Sequence, residues 1–302
     1  MNENETRRIT DDICVKLFGR APERAELATV GMVNTVYIAE IGREKFVIRL
    51  NSEKGAYAES TRLLEAAGKL GLPVPRVIGS GSEQGYEYLA MSFLRGRDLG
   101  IVYHELDRES KRVIAAELVR IQQLAELLPV KRSGGKWYNF IFETLDTARQ
   151  RIIAGGYFDA KKVSRVKEAA RQMESYFNSL HPAAYLDDIS TKNLLIESGH
   201  VSGVVDIDEI GFGDKLTYVA LMRTALLSME LDDDICGDIL NEMNADAVMR
   251  RAELFYCLMY CVDFMGERGM TFNGRMVDAD SETIDRLNGI FDGMWDRWAK
   301  ER

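Results

Sequence analysis

The 302-residue chain predicts an α+β fold in two lobes, a small β-rich N-lobe and a large, mostly helical C-lobe. Three observations predict it. Strand-like runs with a single helix between them fill the stretch before Gly96, helical periodicity takes over after it, and one short hairpin interrupts the helices near residues 193–207. The expected domains are 1–93 and 94–302, joined by a hinge at about 92–98.

The elements follow in order. The first ~25 residues read as an amphipathic helix with Ile9, Ile13, Leu17 and Phe18 on one face. Thr35–Ala39 and Lys45–Leu50 read as a hairpin turning at Gly42. Ser52 is the expected cap of a helix that carries Leu63, Leu64, Ala67 and Leu70 and stops at Gly71. Pro73 and Pro75 hold the next segment extended. Val77–Gly79 and Tyr86–Phe93 make a second strand pair. Beyond it, Asp107–Leu128 shows an apolar stripe at Ile114, Leu118, Ile121, Leu124 and Leu128, and Lys136–Ala154 and Ala160–Ser179 continue as helices separated by Gly155-Gly156. Asn193–Ile196 and Val201–Ile207 form the hairpin, and everything beyond Lys215 reads as helix.

Composition narrows the function. Apolar residues make up 46% of the chain, enough for a sizeable core. No run approaches the ~20 apolar residues that span a bilayer, and the charged N-terminal segment does not resemble a signal peptide. The expectation is a cytoplasmic protein, monomer or homodimer, without membrane partners. A formal charge of −9 disfavours nucleic acid as a partner and suits a cationic small molecule. Cys14, Cys236, Cys257 and Cys261 form no CxxC pair and read as buried free thiols.

The chemistry concentrates between Leu186 and Asp214. Asp187 and Asp188 precede a strand that Asn193 opens, and Asp206 and Asp208 end its partner. A hairpin could bring Asp188, Asn193 and Asp206 to one edge. Carboxylates and an amide oxygen are hard ligands suited to Mg²⁺, which completes its shell with substrate phosphates. A carboxylate off the metal can orient a hydroxyl nucleophile. The two neighbouring acids, 187 and 188, repel each other unless a cation or donor compensates them.

The pattern Asp188-x-x-x-x-Asn193, then Asp206 with Gly211-x-Gly213-Asp214, resembles the catalytic region of the aminoglycoside phosphotransferase and choline-kinase-like family. The resemblance implies a protein-kinase-like fold and a Mg²⁺-dependent transfer of phosphate from ATP or GTP to a hydroxyl of a small molecule. It implies Asp188 as catalytic base and Asn193 and Asp206 as metal ligands, with Asp208 assisting a second ion. Leu186 and Asp187 stand where the family usually has His and Gly, and Tyr218 stands where a further Asp is common, so the chain belongs in a divergent branch.

The same resemblance, carried into the first lobe, implies Arg49 as the strand cation for the phosphates and Glu59 as the helix acid that holds it. It places Asn34 and Thr35 in the phosphate loop 31–35, and Met91, Ser92 and Leu94 around the base. Acids of the C-terminal helices, Asp232, Asp263 and Glu267, are candidates for the acceptor site, with Trp137, Tyr138 and Phe140 as possible walls. Asp263 is the more pointed of these because it interrupts the apolar stretch Leu254–Met265. The alternative is a kinase-like protein that binds nucleotide without turnover. There is no Walker A sequence to suggest a P-loop enzyme.

Overall fold

The computed structural model describes residues 3–28, 34–130, 135–208, 210–272 and 275–301. By contacts the chain divides into two units, Met1–Gly96 with Ser202–Asp208, and Arg97–Val201 with Glu209–Arg302.

The first unit begins with α1 (Glu3–Phe18), which ends where Gly19 takes a positive φ of 76°. The residues after it belong to a strand, not to the expected longer helix. This is β1 (Arg24–Ala28), whose sequence RAELA has little strand propensity and is extended by its pairing with the next strand. Next come β2 (Thr35–Ile41), β3 (Glu44–Asn51), α2 (Ala58–Lys69), β4 (Val77–Glu83) and β5 (Tyr86–Ser92). The described strands form one antiparallel sheet in the order β1-β2-β3-β5-β4. Ile9 and Ile13 of α1 join Tyr37, Ile48, Leu50 and Tyr88 of the sheet in one buried cluster.

Ser52 does not cap α2. The Asn51 side chain instead accepts from the Glu53 amide at 2.8 Å, Gly55 turns with φ 77°, and the helix starts only after Tyr57. Leu63, Leu64 and Ala67 are buried as expected.

The second unit opens with β6 (Arg97–Asp98), α3 (Leu99–Val102) and α4 (Arg108–Ala125). Asp107 caps α4 by accepting from the Ser110 amide at 2.8 Å, and Ile114, Leu118 and Ile121 are buried. The next helix, α5 (Trp137–Gly155), ends on Gly156 in the left-handed region. The single helix expected over 160–179 is two, α6 (Lys161–Gln172) and α7 (Glu174–Ser179), broken at Met173. Then follow β7 (Ala183–Tyr185), β8 (Leu194–Glu197), β9 (His200–Val204), which carries the chain across the unit boundary, and β10 (Gly211–Gly213).

Helices α8 (Leu216–Ser228), α9 (Asp234–Glu242) and α10 (Ala247–Glu267) precede a short pair, β11 (Thr271–Phe272) and β12 (Arg275–Met276), and α11 (Ser281–Lys300) ends the chain. That pair interrupts the all-helical tail expected from the sequence; two-residue strands are too short to show a period of two. α10 packs against α5, α8 and α11 and is buried nearly all round, which explains its weak amphipathicity. α11 is also fastened to α6 by cations over rings, Lys162 on Phe291 at 4.3 Å and Arg165 on Trp295 at 4.1 Å. All four cysteines are free and buried. Among the described residues no helix is long and apolar enough to cross a membrane.

Candidate active site

In the second unit the loop 186–193 is held by its backbone. Gln122 of α4 is 2% exposed and forks Leu186, donating from Nε2 to its carbonyl and accepting its N–H, both at 2.9 Å. A buried amide must be satisfied, and a backbone N–H and C=O satisfy both of its ends. The Gly100 N–H donates to the Thr191 carbonyl at 2.8 Å, and the Asn193 N–H donates to Asp98 Oδ1 at 3.2 Å. The tether at residue 186 uses only main-chain atoms, so it is indifferent to a Leu186 side chain where the related pattern has His.

At the end of this loop Asn193 takes a positive φ of 66°, a region that Asn tolerates better than most residues. Its Nδ2 donates to the Asp188 carbonyl at 3.1 Å and to Asp188 Oδ2 at 2.9 Å. The amide thus aims the carboxylate with its NH₂ end, and its Oδ1 is the group it can offer a cation. Asp188 itself is exposed.

In the first unit Arg49 projects from β3 and is 9% exposed. Its Nη2 reaches Asp208 Oδ2 at 2.5 Å, its Nη1 reaches Asp208 Oδ1 at 3.2 Å, and Asp206 Oδ1 lies 3.4 Å from Nη1. Burial opposes the charge of this guanidinium, but Asp208 and then Asp206 outweigh it and hold its pKa above the ordinary value. Asp206, like Asn193, has a positive φ, 58°. Glu59, expected to hold Arg49, is forked by Arg62 one turn along α2, at 2.9 and 2.5 Å. The strand cation meets the acids that follow β9, a pairing across 159 positions of sequence that spacing could not suggest.

Asn34 accepts at Oδ1 from Asn51 Nδ2 and from the Tyr57 hydroxyl, each at 2.9 Å, and Thr35 pairs with Leu50. The rest of the expected phosphate loop, residues 31–33, lies outside the described residues. Met91 is buried between its partners Val47 and Val77. The Ser92 N–H is spent on the Arg76 carbonyl at 2.9 Å and the Phe93 N–H on Lys45, so neither is open to a base while the sheet edge is intact. Leu94 packs against Gly203, where any Cβ would strike it.

Gly211 and Gly213 lie on β10, paired with β7. A Cβ on Gly211 would enter the Tyr185 ring, and one on Gly213 would enter the indole of Trp137. Gly213→Ala is therefore expected to destabilise the protein by about 1–3 kcal/mol through overpacking. A denaturant midpoint equal to the parent's would show that the indole can move aside. Asp214 follows, 3% exposed, accepting from the Tyr176 and Tyr256 hydroxyls at 2.8 and 2.9 Å and from the Leu216 N–H at 3.0 Å. Burial raises its pKa despite these donors. Trp137 Nε1 donates to the Tyr256 oxygen at 2.7 Å, which ties the indole to the same group.

Two adjoining cavities of about 430 and 490 Å³ open in the second unit, both lined by Trp137, Phe140, Glu143, Tyr185 and Asp187. Asp263 also lines the first; its pKa is raised by burial, and Arg151 at 3.5 Å counters that rise. Glu267, one turn along α10, is raised by burial and by Asp263. Asp232 is engaged elsewhere: Lys111 Nζ donates to it at 2.8 and 3.0 Å and the Tyr103 hydroxyl at 3.0 Å. Burial opposes its ionisation, but these donors outweigh it and lower its pKa. Sequence reasoning missed Gln122, Glu143 and Arg151. Gln122 had a signal, a polar residue beside the apolar stripe of α4; the other two had none.

Residues 25–246 match the model of a family described as a phosphotransferase enzyme family. Among solved structures, a thermostable mutant of the aminoglycoside phosphotransferase APH(4)-Ia, in a ternary complex with AMP-PNP and hygromycin B, is similar at 16% identity and TM-score 0.65, covering 96% of this chain and 98% of the other. The streptomycin–ATP–APH(2'')-IIa ternary complex is similar at 13% identity and TM-score 0.63, with 96% and 98% covered. A putative fructosamine-3-kinase from Haemophilus somnus 129PT is similar at 15% identity and TM-score 0.59, with 94% and 97% covered. At such identities the likeness shows the fold. No curated protein matches the chain.

Proposed function

The chain belongs to this phosphotransferase enzyme family, and from that premise we propose that it moves the γ-phosphate of ATP or GTP to a hydroxyl of a small molecule, with Asp188 as the catalytic base. The observation that carries this reading is the Asp188–Asn193 pair, hydrogen-bonded at 2.9 Å on a loop whose backbone is pinned by Gln122 and Asp98. A base must be pre-aimed if it is to orient a hydroxyl for in-line attack, and the hydrogen bond from the Asn193 amide to Asp188 Oδ2 supports that role. Relatives of the same fold have been solved with AMP-PNP or ATP and an aminoglycoside, which supports a nucleotide donor and a small hydroxylated acceptor.

In the first unit Arg49 has a planar guanidinium that can grip phosphate oxygens at two points, as it now grips Asp208. Asp206, Asp208 and Asn193 are the residues that would hold Mg²⁺, and an amide oxygen with two carboxylates is a fitting donor set. Such an ion takes the rest of its shell from phosphates and water. When bound, the ion would neutralise charge on the transferring phosphate. Asp188 accepts the proton of the acceptor hydroxyl.

The test is nucleoside diphosphate release from ATP and from GTP across a panel of hydroxylated acceptors. Release that no acceptor stimulates would favour a nucleotide-binding protein without turnover. Asp206→Ala is expected to abolish the extra thermal stabilisation that Mg²⁺ adds to bound nucleotide, leaving only the metal-free shift. An unchanged Mg²⁺ increment would remove Asp206 from the metal site.

A further inference from the structure

Asp187 lines both cavities of the second unit and is the immediate neighbour of Asp188. It stands where the related pattern usually has glycine, which has no side chain, so here a carboxylate occupies that place. The first cavity holds three carboxylates, Glu143, Asp187 and Asp263, against one guanidinium, Arg151, and that guanidinium sits on Asp263. The cavity is thus net negative, which favours a ligand that carries positive charge or hydrogen-bond donors.

The frame around Asp187 is stiff. Trp137 lies on Gly213, donates to Tyr256, and stacks on Phe140 with ring centroids 4.9 Å apart. The Tyr185 ring covers Gly211. Rings held in this way keep a shaped, partly apolar wall beside the acid, and Phe140, 48% exposed, adds open ring surface.

The geometry points to Asp187 as the specificity-determining residue of the acceptor site, taking a hydroxyl or ammonium donor of the acceptor one residue away from the base. This rests on the phosphotransfer reading above and deepens it. A carboxylate that holds the acceptor equally before and during transfer acts on KM and leaves the chemical step to Asp188. A charge-assisted hydrogen bond of this kind is lost in Asp187→Asn, which keeps the shape of the side chain.

The experiment compares the parent with Asp187→Asn, and with Asp187→Ser should the first variant melt early. Glucosamine, hygromycin B, streptomycin, choline and neutral glucose are the probes, with ATP and GTP as donors. The expected result is a rise in acceptor KM of roughly ten- to hundred-fold at unchanged nucleotide KM. Equal acceptor KM in parent and variant overturns the assignment. If the parent turns over no probe, the phosphotransfer reading is what has failed. Binding then decides the role of Asp187 by fluorine NMR of 5-fluorotryptophan protein, the Trp137 resonance being identified by its loss in Trp137→Phe. A probe that shifts this resonance in the parent and not in the Asp187 variant supports the assignment. Shifts in both proteins, or in neither, overturn it.

Discussion

Asp188→Ala is expected to lower acceptor-dependent kcat by roughly 10²- to 10⁴-fold, the usual contribution of a positioned general base. Nucleotide affinity should hold, because the side chain contacts Asn193 and the phosphate grip is assigned to Arg49. Stability should change little, since Asp188 is exposed and Asn193 Nδ2 retains the carbonyl of residue 188 as an acceptor. Loss of turnover with an intact nucleotide-induced thermal shift is the expected signature. A variant that keeps the parental kcat would show that another group takes the proton, and the proposed role of the 186–193 loop would go with it.

The second large effect is on stability. Glu253 of α10 is 1% exposed, and its Oε1 accepts from Arg223 Nε of α8 at 2.7 Å and from the Cys257 thiol at 3.4 Å. Arg223, itself buried, also pairs with Asp233, which Arg297 of α11 reaches at 2.5 Å. Burial works against the Arg223 charge, but Glu253 and the neighbouring thiols Cys236 and Cys257 together outweigh it, so the pKa lies above the ordinary value. Removing one partner of a buried pair leaves the other charge desolvated and under-compensated, at a cost of about 3–5 kcal/mol. Glu253→Ala should therefore lower the denaturant midpoint at an unchanged slope. Replacing both residues, Arg223→Met with Glu253→Leu, should cost less than the single change, because Asp233 keeps Arg297 and no buried charge is left without a partner. A double variant as unstable as the sum of the singles would mean that the network contributes by packing alone.

Much of this protein was legible beforehand. The strand pairs of the first unit and the apolar stripe of α4 appear because burial of one face imposes a period of 2 or 3.6 on the sequence. The spacing of Asp188, Asn193, Asp206 and Gly211-x-Gly213-Asp214 was legible for a different reason: local loop geometry ties each residue type to its offset. Where the reading slipped, local signals were weak or misleading. β1 carries no β-branched residue, Ser52 resembled a helix cap although Asn51 forms the turn, and β11 and β12 are too short to have a pattern.

The amino-acid order by itself determined the α+β class and the family, because periodicity and motif spacing are properties of neighbouring residues along the chain. Tertiary structure decided which groups meet. Arg49 meets Asp208, Gln122 holds the Leu186 backbone, Asp232 is bound to Lys111, and Asp187 opens into the aromatic cavity. Side-chain partners across tens of residues are chosen by packing and by the need to satisfy buried polar groups, and neither leaves a periodic trace in one sequence.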